Sequence, residues 1–138
     1  MSEFSAYRIL VLDDHVEMAE AVAELLEFEG HSMRIVHNGP AAVEAFRQED
    51  FDLAFFDIRM PGMNGVEAFM SVKNEKPNAS VVMMSGFADE GLIQTALQNG
   101  AMGLLTKPFN PENLLGFIEE FSTSHDLMAE RLAAAQLH

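Results

Sequence analysis

Five polar residues stand at intervals that a single piece of chemistry can use: Asp13, Asp14, Asp57, Ser85 and Lys107. Steps of 44, 28 and 22 residues separate Asp13, Asp57, Ser85 and Lys107. Carboxylates gathered at one place repel each other, so either their proton affinities rise or a cation sits among them. Hard oxygen donors, with no thiolate and no histidine at ligand spacing, point to Mg2+ and away from zinc. A cation that keeps some of its waters also binds a phosphoryl group, and a carboxylate can attack phosphorus to give an aspartyl phosphate. In that reading Asp57 attacks, and Mg2+ held by Asp13, Asp14 and Asp57 covers one side of the phosphoryl oxygens. Lys107 and the Ser85 hydroxyl cover the others. Taken singly, each residue has a plainer explanation as a turn former, a cap or a solvent-facing lysine. It is the joint spacing that favours chemistry.

The elements needed to gather these residues are visible in the apolar pattern. Arg8-Ile9-Leu10-Val11-Leu12 is β-branched and apolar on both faces, as a buried parallel strand is, and it runs into Asp13-Asp14. Helix pattern follows from about Val16 to Glu29, with Met18, Val22, Leu25 and Leu26 on one face, and Gly30 ends it. Met33 to Val36 reads as a second strand and Gly39 to Glu49 as a second helix. Leu53 to Asp57 is the third strand, closed by the turn dipeptides Pro61-Gly62 and Asn64-Gly65. Val66, Phe69, Met70 and Val72 mark a third helix that Pro77 terminates. Ser80 to Met84 is a fourth strand, and Asp89 is placed to cap a fourth helix bearing Leu92, Ile93, Ala96 and Leu97. Gly103 to Thr106 is a short fifth strand, and Asn110-Pro111-Glu112 opens a fifth helix. Five strand-then-helix repeats specify an α/β fold with a parallel sheet covered on both faces and right-handed crossovers. All five polar residues then fall at strand ends on one edge.

The chain as a whole limits the alternatives. Its 138 residues suit one domain, and an apolar share of 49% supports a packed core. No cysteine is present, which excludes disulfides and thiolate chemistry. The start, Met1-Ser2-Glu3-Phe4, lacks a basic region followed by an apolar core, so the expected location is the cytoplasm, with no membrane contact. A formal charge of −14 argues against direct nucleic-acid binding. In the tail, Leu114, Ile118, Phe121, His125, Met128 and Leu132 alternate four and three apart, a coiled-coil spacing, but Ser122-Thr123-Ser124 interrupts good helix material. The expected division is a domain over 1–121 and a helical extension or linker over 122–138, with the fifth helix ending near Phe121. A helix that runs on and pairs with a partner or a second copy is the other reading. His15 adjoins the acid pair but is read as a loop residue, because a carboxylate site for Mg2+ needs no imidazole.

Four motifs in order carry a resemblance: Leu12-Asp13-Asp14, Phe56-Asp57-Ile58-Arg59-Met60-Pro61-Gly62-Met63-Asn64-Gly65, Met84-Ser85-Gly86 and Leu105-Thr106-Lys107-Pro108-Phe109. Together they resemble the receiver domain of bacterial two-component response regulators over about residues 7 to 121. The resemblance implies a flavodoxin-like three-layer (βα)5 sandwich with strand order 2-1-3-4-5. It implies that Asp57 accepts a phosphoryl group from a sensor histidine kinase or histidine phosphotransfer protein. Asp13 and Asp14 match the acidic metal pair, the Arg59 backbone carbonyl a further metal ligand, Ser85 the switch hydroxyl and Lys107 the site lysine. It further implies a cis Lys107-Pro108 bond and an output surface formed by helix 4, strand 5 and helix 5; a homodimer is expected either through that surface or, from the spacing of the tail, through the C-terminal helix. Receivers often carry an aromatic residue where this chain has Leu104, while Arg59 and Phe87 take positions that tune phosphoryl lifetime in the family. Two other functions compete: a Mg2+-dependent phosphatase passing through an aspartyl phosphate, and a phosphorylation-independent binding module. The first would want Asp-x-Asp where Arg59 stands; the second usually lacks an acid, the hydroxyl or the lysine.

Overall fold

The computed structural model describes residues 6–86 and 89–136. The first residues read for a leader, Phe87, and the side chains of His125, Met128 and Leu132 lie outside that description. Five strands, β1 (Arg8–Leu12), β2 (Ser32–Val36), β3 (Leu53–Asp57), β4 (Val81–Ser85) and β5 (Gly103–Thr106), alternate with five helices. These are α1 (Val16–Phe28), α2 (Gly39–Gln48), α3 (Gly65–Glu75), α4 (Glu90–Gln98) and α5 (Pro111–Gln136). Ala6–Pro108 form one compact unit, and α5 belongs to a second.

In the first unit the strands pair in parallel, in the order β2-β1-β3-β4-β5 implied by the resemblance. The two strands richest in Phe, Val and Met, β3 and β4, are buried along their whole length, whereas the edge strands β2 and β5 are partly open. Alternation sends Leu10, Leu12, Ala54, Phe56, Val81 and Met83 to one face, where they pack with Val43 and Phe46 of α2 and with Val66, Phe69 and Val72 of α3. Ile9, Val11, Phe55, Val82 and Met84, of the opposite alternation, are equally buried, and α1 runs along β1 and β2. Fully burying a side chain of Leu or Phe size contributes about 1.5–3 kcal/mol. A core of this extent therefore outweighs the cost of carrying Asp13 and Asp57 inside.

The turns that feed the site are built from their own side chains. Asn64 caps α3 by accepting from the Glu67 N–H at 2.9 Å, while Glu67 reaches back to the Asn64 N–H at 3.0 Å. Gly65 has no alternative: a Cβ there would run into the backbone carbonyl of Asp57. Gly62, at φ +75°, takes a left-handed turn position with open space around it.

Some expectations differ from the structure. Asp89 is the residue before α4, but its side chain makes no capping bond. Met70 and Leu97, two of the apolar residues that mark α3 and α4, are 37% and 45% exposed. Taken by itself, α5 runs unbroken through Ser122-Thr123-Ser124 to Gln136, past the Phe121 end that was expected. Three residues of modest helix propensity cost only tenths of a kcal/mol each, and propagation of an established helix carries across them.

Candidate functional site

Register brings the polar residues together. Leu12 lies level with Val36 and Phe56, Asp57 with Met84, and Ser85 with Thr106. The residues at or just beyond these pairs share the carboxyl edge of the sheet, where parallel α/β sheets bind ligands. Asp13, Asp57 and Ser85 are all buried there, and Asp14 is partly so. Lys107 follows β5 directly. Its backbone N–H donates to the Ser85 carbonyl at 2.7 Å, and the Lys107–Pro108 peptide bond is cis.

The charges in this pocket are unbalanced. The Lys107 ammonium donates to Asp13 Oδ2 at 2.9 Å and lies 3.4 Å from Asp57 Oδ1. Burial pushes the Asp57 carboxyl up from 3.8 to about 6, with repulsion from Asp13 and Asp14 adding to the rise and Lys107 opposing it. One ammonium thus does not compensate three carboxylates. Asp14 Oδ1 is buried and accepts no hydrogen bond, an arrangement that costs free energy unless a cation satisfies it. Asp13, Asp14, Asp57 and His15 each offer a ligand atom, and these atoms lie within 4.8 Å of one another. The oxygen donors fit a hard divalent ion such as Mg2+.

Three neighbours of the pocket have contacts that the sequence did not announce. His37, just past β2, has Nδ1 2.9 Å from the Asp13 backbone carbonyl; because a carbonyl only accepts, the imidazole donates and holds the acid turn in place. The level pairing of Val36 with Leu12 is the signal that would have found it. Asp89 receives both arms of the Arg59 guanidinium, at 2.9 and 2.8 Å, so the loops after β3 and β4 are joined across the pocket rim. Nothing local in sequence announces a partner thirty residues away. His15, set aside as a loop residue, turns its ring toward Asp13 and Asp14. Leu104 is half-buried on β5 and packs against the main core.

A parallel five-stranded α/β domain with a cation-ready acidic pocket at its carboxyl edge is the class that fold and site define. Comparison with known proteins makes it specific: the response regulator receiver domain family matches residues 9–119, and the chain belongs to that family. It is 32% identical to the chemotaxis protein CheY of Halobacterium salinarum over 86% of this chain and 99% of that protein. It is 30% identical to the DNA-binding response regulator MtrA of Mycobacterium leprae over 94% of this chain, but spans only 58% of that longer protein. Among solved structures, a CheY-like receiver domain protein from Methanospirillum hungatei superposes with a TM-score of 0.83 at 31% identity, over 88% of this chain and 98% of that one. The family is a signalling domain of two-component response regulators, and the phosphatase and binding-only alternatives are not favoured. Among the described residues no helix is long and apolar enough to cross a membrane.

Proposed function

We propose that Asp57 is the phosphoacceptor of this receiver. The observation that carries the reading is the burial of Asp57 at the end of β3, with the Lys107 ammonium 3.4 Å from Oδ1 and two further acids beside it. The Asp57 carboxylate attacks the phosphorus of a phosphohistidine on a sensor kinase or phosphotransfer protein; the P–O bond forms, the P–N bond breaks, and the released imidazole nitrogen takes a proton. Asp13, Asp14, Asp57 and the Arg59 carbonyl would hold Mg2+, which when bound neutralises charge on the phosphoryl oxygens. Lys107 moves between carboxylate and phosphoryl oxygens, and the Ser85 hydroxyl donates to the product. The phosphoryl group shifts a two-state equilibrium read out on the surface of α4 and β5. A change from about 1:99 to 99:1 needs roughly 5.5 kcal/mol of differential stabilisation. Leu104 lacks a ring to bury, so its readout is a smaller change in apolar surface. The receiver core is assigned to 1–121 and the extension to 122–138. Protein partners, or a second copy of the chain, carry the output, and its place of work is the cytoplasm.

The test is incubation with a small phosphodonor and Mg2+, read by intact mass. One base-labile phosphoryl group per chain is expected, and none in Asp57→Ala. Its persistence in Asp57→Ala would sink the assignment.

A further inference from the structure

We propose that the His15 imidazole is a nitrogen ligand of the cation held by Asp13 and Asp14. The site then favours first-row transition divalent ions, beyond the preference its oxygen donors give alone. The proposal rests on the cation-binding reading of the pocket given above. His15 occupies the position before α1 in extended backbone, where a side chain ordinarily caps the helix, yet its ring makes no capping bond. Its own backbone N–H donates to Asp13 Oδ1 at 2.9 Å, a turn that folds the ring back over the acids. Nδ1 comes to lie 3.5 Å from Asp13 Oδ1 and 3.4 Å from Asp14 Oδ1. The second of these oxygens is the buried one that accepts no hydrogen bond.

Spacing decides whether the ring can join the donors. Atoms about 2.1 Å from one ion lie about 3.0 Å apart at adjacent octahedral positions and about 3.4 Å apart in a tetrahedron. A nitrogen 3.4 and 3.5 Å from two oxygens therefore needs only a small ring adjustment to share their ion. The ring is 74% exposed, so little packing opposes that adjustment. Asp13 is meanwhile fixed from behind by His37. Mg2+ prefers oxygen and keeps its waters, whereas imidazole suits the later first-row ions. An exposed imidazole aimed at two carboxylates thus adds affinity for one class of cation and almost none for the other. An imidazolium acting only as an ion-pair partner would do the opposite, competing with every cation alike.

The experiment titrates the whole chain with Mg2+ and, separately, with Co2+ by calorimetry, and follows the visible absorption of bound Co2+. It compares the parent with His15→Gln and Asp13→Asn. His15→Gln is expected to weaken Co2+ on the order of 10- to 100-fold, the scale on which metal sites respond to loss of a group that holds or orients a ligand. Mg2+ should change by no more than about twofold, as an oxygen-preferring ion, and the Co2+ bands should shift as nitrogen is replaced by oxygen. Equal weakening of both ions, no change in either, or tighter binding of both in His15→Gln overturns the ligand role. Absence of binding in the parent, or binding that survives Asp13→Asn, overturns the cation site itself and the proposal with it. Binding lost in Asp13→Asn but indifferent to His15→Gln removes His15 alone.

Discussion

Asp57 and His31 pull the stability of this chain in opposite directions with pH. The Asp57 carboxyl is raised from 3.8 to about 6, first by burial and then by Asp13 and Asp14, so between those values the folded state binds more protons than the unfolded one. Stability contributed by protonated Asp57 is present below about pH 4 and is lost as pH rises through about 6. His31 is buried and stacked on Tyr7, and its Nδ1 accepts the Tyr7 N–H at 3.0 Å; burial lowers its pKa below 6.5. Here the unfolded state binds more protons, so stability is present above pH 6.5 and is lost as pH falls through the lowered folded value. In divalent-free buffer Asp57→Asn should raise stability at pH 7 by on the order of 1–3 kcal/mol and leave a profile that only rises with pH. His31→Phe keeps a ring but orphans the Tyr7 N–H. It should cost about 1–3 kcal/mol and leave the profile that falls as Asp57 ionises. Urea midpoints across pH 4–8 check both; a parent profile unchanged by either substitution counts against the two assignments.

Among the elements, the connection from β3 to α3 is the one the site depends on most. Gly65→Ala would force a methyl group into the Asp57 carbonyl, whereas Gly62→Ala meets open space and only the left-handed backbone penalty. The second should cost about 1–2 kcal/mol. Gly65→Ala should cost more than that and should also slow phosphorylation, because the Asp57 carbonyl itself must move. Asn64→Ala removes the cap from Glu67 and should cost about 1 kcal/mol. Equal losses for the two glycines in chemical denaturation, with equal phosphorylation rates, would contradict the crowding argument. The strands of this connection were legible because each apolar run stops at a polar residue, and Pro61-Gly62 and Asn64-Gly65 could only be turns. Asp89 was misjudged for a physical reason: a capping residue is recognised by its neighbours, and its actual partner, Arg59, is brought near only by the sheet. The apolar pattern placed Met70 and Leu97 on their helices but did not give their exposure, because helical periodicity fixes which residues share a face, not how wide the buried stripe is. The run of α5 past Phe121 was only the second reading because three weak helix formers look like a stop until cooperativity is counted.

At the scale of the whole molecule, charge sets the terms. Arg8, Arg34, Arg47, Arg59, Lys76 and Lys107 are all committed to carboxylates, leaving most of the acidic excess without a cation beside it. With a net charge of −14, self-repulsion should outweigh the surface ion pairs, each worth about 1 kcal/mol or less. Raising NaCl from about 0.01 to 0.5 M shortens the screening length severalfold and should increase the urea midpoint; a decrease would mean that the ion pairs dominate. Mg2+ adds a specific term, about 2.7 kcal/mol at a hundred times its dissociation constant, and Asp13→Asn should abolish it. That term also has a place in time. The Lys107–Asp13 bond joins residues 94 apart in the chain, and the pocket draws on the ends of β1, β3, β4 and β5. Such a pocket needs distant strand ends to meet, so its interactions are expected to form after the folding transition state. Mg2+ should therefore leave the refolding arm of a chevron almost untouched and lower the unfolding arm, making the ion a brake on opening and no guide to folding.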